Sequence, residues 1–391
     1  MTSEWHEVPL RELVGYISKG IAPSYAEEAS ETTIRVLNQK CNRNFRISYG
    51  DSRLHDTLKK KVPPERYVKP DDILINSTGA GTAGRIAQIE DVPSTTTIDG
   101  HMILIRSNGK VTQKFLGYAL KAHQWEVLQL DEGSTGQTEL NRDRLLDEIM
   151  INYPVSLDEQ NAIVGTLESI DRKLIVNEQL NDNLEQQAQA IYQQMFIDNA
   201  RSDSTEGTLS DIANITMGQS PSGSSYNEDG NGTIFFQGRA EFGFRFPTVR
   251  LYTTEPKRMA CANDTLMSVR APVGDLNVAH TDCCIGRGLA AIHSKNNHQS
   301  FVLYTMFSLK KQLDVFNGEG TVFGSINRNS LNEMPILIPS SEKLDEFEAL
   351  VAPMDAAIRN NYDEICRLEQ LRDSLLPQLM SGELDVSDID L

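Results

Sequence analysis

Between residues 156 and 196 the chain places Ile163, Leu167, Ile170, Leu174, Asn177, Asn181, Leu184, Ala188, Ile191 and Met195 alternately four and three residues apart. That heptad spacing lets one helix lie along another. About 40 residues at 1.5 Å each predict a rod of roughly 60 Å. A rod with so narrow an apolar seam needs a partner, because tertiary packing supplies most helix stability. The partner is in the same chain: Leu350, Met354, Ile358, Asn361, Ile365, Leu368, Leu371, Leu375 and Leu379 repeat the pattern near the C-terminus. The two stripes read either as ordinary core-facing amphipathic helices or as two long helices packed as an intramolecular coiled coil. Ser156 with Glu159 is a capping box for the first, and Ser341 with Glu342 opens the second. Pro353 is expected to kink or restart the second helix, and Pro377 to stop it before Gly382. Asn177 and Asn361 fall on the seams, either as buried amides that fix register or as solvated breaks.

The remainder of the chain repeats itself. Residues 10–19 read as a short helix, residues 33–37, 72–77, 85–89 and 102–106 as strands, 111–130 as a helix capped by Thr112, and 149–153 as a last strand. The same order returns later. Thr233-Ile-Phe-Phe-Gln-Gly-Arg239 echoes Thr33-Ile-Arg-Val-Leu-Asn-Gln-Lys40, Asn263-Asp264-Thr265-Leu266 answers Pro70-Asp71-Asp72-Ile73, Asn327-Arg328 answers Asn141-Arg142, and Pro339 answers Pro154. The fold class expected is α+β: two tandem mixed α/β domains separated by the paired helices, with pseudo-two-fold symmetry. The boundaries expected are a first domain over 1–155, a central helical spacer over 156–200, a second domain over 201–340, and a C-terminal helical spacer with an acidic tail over 341–391.

Charge is distributed along the same lines. The formal net charge is −18, which by itself argues against a nucleic-acid partner. Segment by segment, however, residues 1–150 carry −2, 151–200 carry −6, 201–340 carry −1 and 341–391 carry −9. The two globular portions are therefore nearly neutral, and residues 32–70 hold ten cations against three acids. No run of about 18 apolar residues offers a membrane span, and the first residues lack an apolar signal region, so the cytoplasm is expected. Five cysteines without metal-site spacing read as free thiols.

Catalytic signatures are missing. Gly79-Ala-Gly81-Thr-Ala-Gly84 matches a dinucleotide fingerprint, but a strand follows it where a helix is required, so it reads as a tight turn between strands. There is no P-loop, and the seven histidines form no ligand or triad spacing.

Several segments resemble the specificity subunit of Type I restriction-modification systems, the HsdS family. They are Ser268-Val-Arg-Ala-Pro-Val-Gly-Asp-Leu-Asn277, Cys284-Ile-Gly-Arg-Gly-Leu-Ala-Ala-Ile292, Thr321-Val-Phe-Gly-Ser-Ile-Asn-Arg328, and Pro154 with Glu159-Gln160 and Ile163-Val164. The closing stretch from Arg367 through Pro377 to Glu383 fits as well. The strong acidity departs from the pattern, as does Leu344-Asp-Glu-Phe347, which lacks the Glu-Gln pair of the first helix. The resemblance implies two target-recognition domains, each reading half of a bipartite site in double-stranded DNA, with helices that pack as an antiparallel intramolecular coiled coil, set the spacer and bind two adenine methyltransferase subunits. Motor and nuclease subunits are implied as further partners. No cofactor is implied in this chain; S-adenosylmethionine, ATP and Mg belong to the partners. The alternatives are a specificity subunit serving a fused nuclease-methylase, or a helical scaffold that binds no DNA.

Candidate base and phosphate contacts are Lys40, Arg43 and Arg46 in the first copy and Gln237, Arg239 and Arg245 in the second. They lie in matching polar segments after an early strand. Arg85 and Arg270 stand beside matching turns. Arg and Gln pair with base edges, and Lys holds phosphates.

Overall fold

The computed structural model describes residues 4–132, 139–199, 204–270, 272–317 and 324–386. Residues 133–138 and 200–203, Ala271 of the first resembling segment, residues 321–323 of the third and the last residues of the tail lie outside them. The chain forms two compact units, Met1–Ile175 with Cys366–Leu391, and Val176–Ile365. The division falls inside the two long helices rather than at their ends, because each globular lobe packs on part of both.

In the first unit, strand Trp5–Pro9 pairs antiparallel with Met150–Pro154, bringing the start of the lobe to its end. Only Leu10–Glu12 is helical, as one tight turn. The helix expected over 10–19 is otherwise strand Val14–Lys19, whose alternating side chains complete an antiparallel sheet in the order Val14–Lys19, Met102–Ser107, Ile73–Asn76, Ile86–Gln88. Successive side chains of a strand face opposite ways. Ile73, Ile75, Ile103 and Ile105 meet helix Gln113–Ala122 through Phe115, Leu116 and Ala119 on one face. Leu74, Met102 and Leu104 enter a second core with Leu37 and Ile98 on the other. Burial on both faces is why these strands read as unbroken apolar runs. A second sheet runs Thr96–Ile98, Thr33–Leu37, Arg53–Asp56, Tyr25–Ala26, its first pair parallel.

The second unit has the same plan. Thr205–Thr208 pairs with Pro335–Ile338, Leu209–Ile212 is a single turn, and the sheet order is Ala213–Met217, Leu289–Ser294, Thr265–Val269, Val273–Val278. Its other sheet again contains a parallel pair, Thr233–Phe236 with Cys283–Ile285. The duplication read in the sequence is thus a duplication of strand order.

The central helix spans Leu157–Tyr192 and ends in a wider turn, Gln193–Asp198. Half of its capping box forms: the Glu159 N–H donates to Ser156 Oγ at 3.4 Å, while the Glu159 carboxylate accepts from the Trp5 indole at 3.2 Å. In the first unit Ile163, Val164 and Leu167 share a core with Leu376, Leu379 and Met380, with Leu375 beside it, and Ile170 and Leu174 are also buried. In the second, Ala188, Tyr192 and Phe196 pack with Phe347, Val351 and Ile358, and Leu184, Ile191 and Met354 lie against them. Asn177 donates to Glu364 at 2.8 Å and Asn361 donates to Asn181 at 2.9 Å. As the central helix advances its partner recedes, so the pair is antiparallel. Asn177 and Asn181 are buried amides, while Asn361, Ile365 and Leu368 are half-buried.

The C-terminal helix departs from expectation in two ways. It runs unbroken over Ser341–Ser381, through both prolines. Each proline removes one hydrogen bond at a cost of about 3 kcal/mol, which burial of Phe347, Val351 and Ile358 around Pro353, and of Leu376, Leu379 and Met380 around Pro377, offsets. The stop is Gly382, at φ +76° with the Trp5 ring seated where a Cβ would stand. Leu350 and Leu371 are exposed rather than on the seam, while Val351, next to Leu350, and Leu376, next to the half-buried Leu375, are buried. A straight helix drifts against a strict seven-residue repeat, so the seam moves by one position toward each lobe.

Candidate nucleic-acid interface

After strand Thr33–Leu37 the chain makes a tight turn, Gln39–Cys41, held by the Asn38 side chain accepting from the Lys40 N–H at 2.9 Å. A two-residue hairpin follows, Asn42–Arg43 against Arg46–Ile47, with Asn44 at φ +52° and Phe45 at φ +61°. Positive φ at both central positions matches the twist of the flanking strands. The glycine-rich stretch joins strands Ile73–Asn76 and Ile86–Gln88, which are antiparallel neighbours. It is the strand-to-strand turn expected, with Gly79, Gly81 and Gly84 in the left-handed region.

These two turns border one open cleft of about 640 Å³ that Lys40, Arg43 and Arg85 line together. Among the described residues that line it there is no carboxylate. Its floor is a buried amide net. Asn42 Nδ2 donates to the Arg85 carbonyl at 2.8 Å and to Asn76 Oδ1 at 3.2 Å, and Asn76 Nδ2 donates to the Gln39 carbonyl at 3.1 Å. Gln124 clamps the glycine turn, accepting from the Ile86 N–H at 2.9 Å and donating to the Gly84 carbonyl at 2.8 Å. Arg85 donates to the Gly81 carbonyl at 3.0 Å, and Lys40 and Arg43 are exposed. Arg43 also donates to the Lys40 carbonyl at 3.3 Å and lies 3.7 Å from Asp51, and cations set over a hydrogen-bonded floor suit phosphate holding and bidentate pairing with base edges.

Arg46 is elsewhere. It lines a second cleft of about 380 Å³ with Tyr118, Lys121, Asp171, Arg172 and Arg372, where the lobe meets the long helices of its own unit. Much of the remaining basic stretch serves the lobe itself. Arg35 donates to the Tyr49 carbonyl at 3.2 Å, Arg53 lies 3.5 Å over the Tyr25 ring, and Lys60 donates to the Ala22 carbonyl at 2.8 Å.

In the second unit Gln237 and Arg270 are exposed. Arg239, also exposed, pairs with Asp275 at 2.7 Å, and Lys310 approaches the same carboxylate at 3.3 Å. Arg245 does not belong with them. It is 3% exposed, donating to Asp355 at 3.0 Å and to Tyr304 Oη at 3.2 Å, with Glu185 at 3.7 Å. Phe244 faces out while Arg245 and Phe246 are both buried in a bend of the chain, so no two-residue alternation in the sequence marks Arg245 as an interior residue. Gln39, Asn42 and Gln124 carry no signal in the sequence that would mark them; they line the cleft from two separate segments.

The family model of the Type I restriction modification DNA specificity domain matches residues 2–186 and again 201–359. A type I restriction enzyme MjaX specificity subunit of Methanocaldococcus jannaschii is 27% identical over 408 residues, covering 98% of this chain and 94% of that protein. The MjaIX specificity subunit of the same organism is 24% identical over 381 residues, covering 88% and 84%. A solved Type-I restriction-modification system S subunit from M. genitalium shares the fold at a TM-score of 0.60 and 17% identity, over 97% of this chain and 99% of that one.

Proposed function

The chain belongs to the Type I restriction-modification DNA specificity family and carries that domain twice, and on that premise we propose that its first copy reads one half of a bipartite target through the cleft of Lys40, Arg43 and Arg85. The chain is the DNA sequence-specificity subunit of a Type I restriction-modification complex. The observation that carries the assignment of the cleft is the convergence of Arg85 with Lys40 and Arg43, more than forty residues earlier, on an opening that no carboxylate lines among the described residues. Arg43 and Arg85 contact base edges, and Lys40 holds phosphate. Gln237, Arg239 and Arg270 serve the second half-site.

The helices set the spacer. The central helix of 36 residues measures about 54 Å, roughly one and a half turns of B-DNA. Their acidic faces receive two adenine methyltransferase subunits, which motor and nuclease subunits join. S-adenosylmethionine, ATP and Mg act in those partners, and this chain contributes recognition rather than catalysis, in the cytoplasm. No helix among the described residues is long and apolar enough to cross a membrane.

Mapping methylated adenines in cells that carry the chain with its methyltransferase tests the reading. A split motif is expected, and inserting one helical turn in both long helices lengthens its spacer; an unchanged spacer defeats the ruler. Arg85→Ala relaxes one position of one half-site by about 1–3 kcal/mol, Arg239→Ala does so in the other, and Lys40→Ala weakens all sequences alike while lowering the salt slope by about 1. Equal loss on unrelated DNA for Arg85→Ala marks it as a phosphate contact instead.

A further inference from the structure

The two units share a polar arrangement that the recognition surfaces do not account for. In the first, Tyr118 on the lobe helix Gln113–Ala122 donates to Asp171 of the central helix at 2.8 Å. Lys121 reaches the same carboxylate at 3.2 Å and Arg372 of the C-terminal helix lies 3.5 Å from it. In the second, Tyr304 on the lobe helix Gln299–Ser308 donates to Asp355 of the C-terminal helix at 2.9 Å, and Arg245 donates to it at 3.0 Å. The tyrosine and the aspartate recur; the cation does not. Lys121 comes from the lobe helix, whereas Arg245 comes from the segment that carries Gln237 and Arg239.

Each cation also ties that aspartate to the segment holding the candidate base contacts. Lys121 Nζ sits 5.0 Å from the centre of the Phe45 ring, at the tip of the hairpin that bears Arg43. Arg245 is itself only six residues beyond Arg239. Burial pulls the Lys121 ammonium below its ordinary range, with Asp171 opposing, so the cation is desolvated rather than merely near the acid. Buried ion pairs are poor sources of stability compared with apolar packing, and holding one geometry is their better-attested use.

We infer that Asp171 and Asp355 are positioning residues, each fixing the base-reading segment of its own copy against a long helix. The inference rests on the DNA-specificity reading above. Because Arg245 links segment to helix directly and Lys121 only through a ring, loss of Asp355 disturbs recognition more than loss of Asp171.

The test uses the full complex with its methyltransferase and compares methylation rates on the native target and on targets with one base changed in either half-site. Asp355→Asn is expected to lower discrimination at the second half-site roughly tenfold, the scale of one good base contact, and to leave the first unchanged. Asp171→Asn lowers discrimination at the first by about threefold, and Arg245→Lys, which keeps the cation, retains most of it at the second. A variant that melts earlier but discriminates as before overturns the inference, as does equal loss at both half-sites. Tyr304→Phe removes one hydroxyl and carries the test if Asp355→Asn does not fold; unchanged discrimination there overturns it as well. If the wild-type complex itself shows no sequence preference, the DNA reading fails; if it does and the variants match it, only the positioning role fails.

Discussion

The lobe-to-helix cores of the two units occupy the same place in the strand order but are built from different side chains. In the second unit Tyr192, Phe196, Phe301 and Phe347 form a ring cluster, with Phe196 centred 5.1 Å from Phe301 and 5.2 Å from Phe347. In the first unit the long helices contribute Ile163, Val164, Leu167, Leu376, Leu379 and Met380, and the buried rings Phe115, Tyr118 and Tyr153 all belong to the lobe. What a duplicated fold has to keep is the buried area and the direction of the strands, since many apolar combinations fill one volume. Aromatic pairs add about 0.5–1.5 kcal/mol beyond their area, so the two copies need not be equally stable.

The largest effect expected from that difference follows Phe347→Ala. Phe347 is fully buried among four other rings, and its truncation should cost about 3–5 kcal/mol, confined to the second unit. Leu167→Ala, equally buried in the first unit, should cost about 2–5 kcal/mol there. Hydrogen exchange read unit by unit, alongside denaturant unfolding, separates the two. Greater loss of protection from Leu167→Ala than from Phe347→Ala breaks the claim that the ring cluster is the stronger core.

The same comparison shows what could be read in the chain beforehand. The paired helices are legible because Ile163, Leu167, Ile170 and Leu174 repeat a period that one structure explains, and the doubly buried strands because residues 73–75 and 102–105 are apolar without interruption. Val14–Lys19 was misread because a glycine and two polar residues interrupt its strand pattern, while its pairing with Met102–Ser107 is settled almost ninety residues away. The fate of Pro353 and Pro377 depended on packing on either side, which local propensity does not contain. At the recognition surface, residue type pointed to Lys40, Arg43 and Arg85 but equally to Arg245. Only burial separates a guanidinium that faces solvent from one that bridges Tyr304 and Asp355.

A smaller effect tests how each long helix grips its lobe. The side chain of Gln160 is buried, accepting from the Thr112 N–H at 2.8 Å and donating to the Pro154 carbonyl at 2.9 Å. Its counterpart by register, Asp345, meets His298 at 2.8 Å with its side chain 71% exposed. Gln160→Ala should therefore cost about 1–3 kcal/mol, since it strands two buried backbone groups, and Asp345→Ala less than about 1 kcal/mol, as for a solvated ion pair. Thermal unfolding of the two variants compares them directly, and equal shifts would erase the distinction.

The smallest expected effect concerns the start of the lobe helix. In the first unit Thr112 caps its own helix, accepting from the Phe115 N–H at 3.2 Å. In the second the residue at that place, His298, makes no such bond; Glu348 reaches across from the C-terminal helix and accepts from the N–H groups of Ser300 at 3.0 Å and Phe301 at 3.4 Å. A cap supplied locally is lost with one local substitution, whereas a cap supplied by a neighbour survives it. Thr112→Ala should thus cost about 1 kcal/mol, and His298→Ala only a few tenths, the scale of an exposed pair. Glu348→Ala should reverse the order by removing the second cap, which makes the three variants a single measurement by denaturant midpoint. If His298→Ala costs as much as Thr112→Ala while Glu348→Ala is silent, both helices are capped from within, and the long helices hold the two lobes by apolar contact alone.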